Sequence, residues 1–166
     1  MALVGVPQTF AVEGSRDLVN KLWWEIEEYR DEAELEKKLW RAFNCAVTAW
    51  HICDWLWRER TADRKEQRGL AAFQTAMKEK CRHLNFCRHI ATASKHGGVD
   101  RHFDDSINVV VRATRDPLEG AFSDSLKSKH WEIIVTDQHL SYDALEVFYV
   151  VQSFWDRITV SDVCAE

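Results

Sequence analysis

The sequence predicts a mainly α protein, a helical bundle of four to five helices with a β-hairpin inserted before the C-terminal helix. Three observations predict it. Apolar residues recur at three- and four-residue steps through most of the chain, a two-residue rhythm replaces them only at about 107–136, and 166 residues contain just six Gly and two Pro. At 46% hydrophobic and 30% charged residues, with no repeat and no low-complexity tract, residues 1–166 read as one domain with a core large enough to fold without staples.

Each element has its own justification. Gly14-Ser15 is a helix start, followed by the stripe Leu18, Val19, Leu22, Trp23, Ile26 and Tyr29. A longer helix is expected from about Glu32 to Arg58, its apolar side carried by Leu35, Leu39, Phe43, Val47, Trp50 and Trp57, with Asp54 breaking the stripe. The polar run Arg58 to Arg68 reads as a loop. A third helical region spans about Gly69 to His96 with a break near Cys81, and Gly97-Gly98 ends it as a left-handed cap. Ile107, Val109 and Val111 alternate with Asn108, Val110 and Arg112, and Trp131, Ile133 and Val135 alternate likewise, so these two segments should pair as a hairpin. From Ser141 a last helix carries Leu145, Phe148, Val151, Trp155 and Ile158 on one face.

The remaining composition excludes several classes. Met1 to Val12 has no basic start and no long apolar run, so neither a signal peptide nor a membrane span is expected and the chain reads as cytoplasmic. Five cysteines, an odd number at helix-like positions, suit reduced buried thiols rather than a disulfide framework. Cys81, His83, Cys87, His89, His96 and His102 are potential metal ligands, but the first four fan around a helix at ~100° per residue and cannot converge on one ion. No metal site or cofactor is therefore expected, although a metal-binding protein using His51, Asp54, Cys87 or His96 is one alternative. A Ser-His-Asp order, a phosphate-cradling glycine loop, a dinucleotide fingerprint and a His-Glu-x-x-His helix are all absent from the sequence.

Charge and aromatics suggest partners. Residues Glu13 to Glu36 sum to −6, whereas Lys78 to His102 sum to +4. Such a basic segment can line a nucleic-acid cleft, or it can pair with the acidic first helix across the bundle. Eight tryptophans are many for this length, and Trp23-Trp24 and Trp55 with Trp57 point in different directions on any helix. A symmetric helix-to-helix homodimer would bury the surplus, and an interaction module of this kind, without catalysis, is the other alternative.

The chemistry-bearing residues lie in Cys81 to Gly98. Arg88-His89 and the helix end Lys95-His96-Gly97 resemble the HEPN-type domains, small helical proteins, usually dimeric, many of them metal-independent RNases of toxin-antitoxin and phage-defence systems. That family places an arginine, often followed by a polar residue, and then a histidine after four to six intervening residues. Arg82 precedes His89 with six intervening residues, and Arg88 precedes His96 with seven. The resemblance implies an RNA-binding or RNA-cleaving protein in which Arg88, His89 and His96 are catalytic, Lys95, Arg82 and Arg101 hold substrate, and RNA, a second copy or an antitoxin-like protein is the partner. A histidine with a pKa near ~6.5 can take a ribose 2′-hydroxyl proton, and an arginine can hold the phosphate bidentately. His51 and Asp54, three apart on one helix, are expected as a buried polar pair supporting the site; an Arg88–Asp54 ion pair and a helix-capping role for His96 are the competing structural roles.

Overall fold

A computed structural model describes residues 12–59, 69–96, 107–114, 130–137 and 140–163. In chain order the elements are α1 (Ser15–Asp31), α2 (Leu35–Glu59), α3 (Gly69–Lys80), α4 (Leu84–His96), β1 (Ile107–Thr114), β2 (His130–Asp137), β3 (Leu140–Asp143) and α5 (Ala144–Val163). The protein is mainly helical, with a small antiparallel sheet before the last helix, as the periodicity predicts. The Arg58 to Arg68 loop beyond Glu59, the Gly97-Gly98 cap and the segment joining β1 to β2 lie outside the described residues.

α2 is the central helix, packed against α1, α4 and α5 and, through fewer residues, α3. Both ends of the α1–α2 pair are tied by side chains. At one end Ser15 donates from its backbone N–H and its hydroxyl to the Glu59 carboxylate. Gly14 leaves room for that carboxylate, since a Cβ there would stand 2.9 Å from Glu59 Oε1. At the other end Lys38 Nζ donates to the carbonyls of Tyr29 (3.1 Å), Arg30 (3.4 Å) and Glu32 (3.2 Å), where α1 ends and backbone acceptors outnumber helical donors. Lys38 is itself buried, its ammonium 4.7 Å from the Tyr29 ring centroid, and burial lowers its pKa.

The face that α2 turns inward differs from the expected one. Ala42, Cys45, Ala46, Ala49, Ile52, Cys53 and Leu56 are buried, whereas Leu39 and Phe43 are exposed and Val47 and Trp50 only half-buried. Small residues face the core because they let α1, α4 and α5 approach α2 closely; the bulky stripe is left on the outside. Trp155 of α5 fills the resulting space, fully buried, its indole N–H donating to the Ala49 carbonyl at 2.9 Å. α1 follows expectation, with Leu18, Val19, Leu22, Ile26 and Tyr29 buried, but Trp23 projects out.

The third helical region breaks where expected. α3 stops at Lys80, and three-residue bonds from Leu84 N–H to Cys81 O (3.0 Å), Asn85 N–H to Arg82 O (3.0 Å) and Phe86 N–H to His83 O (3.2 Å) restart the chain as α4. Gly69 opens α3 at φ +78°, a conformation that favours glycine. β1 and β2 pair antiparallel with Val109 opposite Val135 and Val111 opposite Ile133, as the alternation predicts. A third strand was not expected: Leu140–Asp143 pairs with β2 before α5 begins, so the last helix starts at Ala144 rather than Ser141. Asp143 fixes that start by accepting the Leu145 N–H at 2.7 Å.

Candidate functional site

Asp54, Gln74, Lys78 and Arg88 lie at the junction of α2, α3 and α4. Gln74 and Lys78 stand one turn apart on the same face of α3. Phe73 anchors that helix against Trp57 of α2, ring centroids 5.5 Å apart, and this brings the Gln74 amide to Asp54, whose Oδ1 accepts its N–H at 2.8 Å. Lys78, half-buried, sits where Cys53 of α2 and Arg88 of α4 both act on it. Burial lowers its pKa, and the Arg88 guanidinium lowers it further.

Lys78 and Arg88, both half-buried, are thus near enough for the guanidinium to act on the ammonium. Neither forms an ion pair with a carboxylate among the described residues. Asp54 is engaged by Gln74 instead, so the expected Arg88–Asp54 ion pair does not form. The acids of α1 are engaged too, by bases of α1 and α2. Glu25 pairs with Lys21, Glu27 with Arg30 at 2.6 Å, and Glu28 with Arg41 at 2.7 Å. Lys78 and Arg88 are therefore not neutralised by the acids of α1, which pair with other bases. Two cations so placed can hold an anion: bringing a phosphate to the pair replaces repulsion by attraction and supplies acceptors for the guanidinium fork.

The other sequence-predicted residues fall in different places. His89, adjacent to Arg88 and therefore ~100° around α4, is buried, which takes it away from a solvent-facing site. His51 is exposed while Asp54 is half-buried, so the two do not form the buried pair expected of them. Arg82 is exposed at the turn into α4. Lys95 and His96 lie in the last turn of α4, and Arg101 lies outside the described residues. His83 packs edge-on against Tyr142 (5.1 Å) and Phe86 (6.1 Å), and burial lowers its pKa.

Sequence reasoning missed Gln74, and counted Lys78 only as charge. The usable signal was their four-residue spacing beside Phe73 and Met77, the two buried residues of α3. The metal alternative finds no support here: among the described residues no three His, Cys, Asp or Glu side chains form a group that could hold an ion. Cys45, Cys53, Cys81 and Cys87 are buried free thiols, each with its pKa raised by burial. Among the described residues, no helix is long and apolar enough to cross a membrane. No protein-family model, curated protein or solved structure matches the chain.

Proposed function

We propose that the protein is a HEPN-like RNA-binding protein in which Lys78 and Arg88 hold a backbone phosphate. The observation behind this reading is the juxtaposition of two partly buried cations on α3 and α4, with the junction's carboxylate, Asp54, held by Gln74. RNA suits the site better than a free anion because Arg82, Lys95 and His96 belong to the same helix and its entry turn, and extend the basic character along α4. Cleavage, the fuller form of the reading, assigns His96 as the base: it takes the 2′-hydroxyl proton, the 2′-oxygen attacks phosphorus, and the 5′-oxygen leaves with a returned proton. Arg88 stabilises the charge that develops on the phosphoryl oxygens. No metal enters these steps.

Binding of a short labelled single-stranded RNA, measured by fluorescence anisotropy across a salt series, tests the site. Each phosphate contact contributes a slope of about −0.7 to log K against log salt for single strands. Lys78→Ala and Arg88→Ala are each expected to weaken binding and flatten the slope by about 0.7, with exposed Lys80→Ala as the control. Unchanged slopes in both folded variants sink the site. Incubation of the same RNA in excess chelator, with His96→Ala beside wild type, tests cleavage.

A second reading, a non-catalytic interaction module, is favoured by a separate observation. Trp23, Trp24 and Trp40 are 52%, 55% and 59% exposed. Rings this large are seldom left in water without a partner to cover them.

A further inference from the structure

The outer side of α2 is self-complementary. Taken at ~100° per residue, Glu36, Trp40, Phe43, Val47, Asp54 and Arg58 fall within about 60° of one another around the helix. Trp40 is 59% exposed and Phe43 41%, Val47 is half-buried, and Glu36 and Arg58 are exposed. Beside this face Trp24 of α1, 55% exposed, lines a cleft with Glu25, Glu28, Arg41 and Asn44.

Register supplies the complementarity. Glu36 lies eleven residues before Val47 and Arg58 eleven after it. At ~1.5 Å of rise per residue each is about 16 Å from that valine. A half-turn about an axis through Val47, normal to the helix, therefore lays Glu36 against the partner's Arg58, and the partner's Glu36 against Arg58. Neither residue forms an ion pair within the chain among the described residues. We infer that the occupant of this face is a second copy of the chain, docked through antiparallel α2 helices crossing at Val47.

A two-fold interface requires one patch that matches itself, and the charges at the two ends of this face do so. Trp40 and Phe43 of each copy lie over the half of α2 beyond Val47, where the partner presents His51 and Asp54. With about 150–250 Å² per aromatic side chain, the exposed parts of Trp24, Trp40 and Phe43 supply roughly 300 Å² per copy. The flanking side chains enlarge the patch toward the roughly 600 Å² per copy at the lower end of specific interfaces, so a weak, concentration-dependent dimer is expected. The inference does not depend on RNA binding: no residue of the Lys78–Arg88 pair takes part.

Sedimentation velocity of the full chain across a concentration series tests it. Wild type is expected to show a concentration-dependent monomer–dimer equilibrium, and Trp40→Glu to be monomeric with its helical signal intact. Glu36→Arg and Arg58→Glu should each weaken the dimer about tenfold, and the two changes together should restore it. Both single changes also oppose the α2 macrodipole, so association rather than melting is the readout. Val47→Cys should crosslink to itself on mild oxidation while wild type under the same conditions does not, since helices packed 8–10 Å apart bring residues on the two-fold axis within disulfide reach. A wild-type monomer at every concentration overturns the inference and leaves the face to a different protein. So does a dimer that ignores Trp40→Glu, or a double charge swap no better than the singles.

Discussion

Lys38 shows how one residue can be misread by type. A lysine in the first turn of a helix opposes the macrodipole and belongs, by composition, in water. Here it is buried because three carbonyls at the end of α1 converge on its ammonium. Lys38→Met keeps the aliphatic stem and removes the donor, leaving those acceptors without their charged partner. The expected loss is about 1–3 kcal/mol of stability, read as a shift in the denaturation midpoint with an unchanged slope. The candidate site has the same character. Arg88 was legible as a basic residue on a helix, but its neighbour Lys78 is ten positions away in sequence and becomes a partner only through the turn at 81–83. His89 illustrates the opposite failure: adjacent to Arg88 in sequence, it faces the interior, and helix phase cannot be fixed from spacing to within one residue.

Among elements, α2 carries the main lesson. It starts at Leu35 rather than about Glu32, because Glu32 closes α1 and the acids expected in the first turn of α2 belong mostly to the connection, but its existence and its C-terminal end were legible from periodicity. Its orientation was not, because hydrophobic weight favours the large residues, whereas the interior of a close helix packing favours small ones. Ala46 and Ala49 have no exposed surface, and Ala49 also offers its carbonyl to Trp155. Ala49→Leu should therefore overpack the junction and cost at least 1–3 kcal/mol. Val47→Leu, on the other side of the same helix, should leave the thermal melt within a degree or two of wild type. A comparable loss in both would mean that the inward and outward faces are assigned wrongly. β3 escaped the sequence for a different reason. At four residues it is too short for its alternation to be distinguished from the start of the helix that follows, and only pairing with β2 makes it a strand.

At the scale of the molecule, the order of helices and strands could be read because local pattern dictates it. What the surface recognises could not, because recognition depends on which outward residues tertiary packing brings together. Trp24, Trp40 and Phe43 stand on α1 and α2 and the Lys78–Arg88 pair on α3 and α4, with Asp54 bordering both, so loss of RNA binding and loss of self-association should be separable by mutating the aromatics and the cations. The side-chain ties at the two ends of α1 and α2 have a further consequence for how the molecule opens. Fraying normally begins at helix termini, yet here the start of α1 is fastened to the end of α2 by Glu59 and the end of α1 to the start of α2 by Lys38. Neither helix can unwind from a terminus without breaking a bond to the other. Hydrogen–deuterium exchange should accordingly find the amides of α1 and α2 protected as one unit and released together near the global unfolding free energy, while those of β1, which among the described residues has no extensive packing against a helix, exchange far earlier.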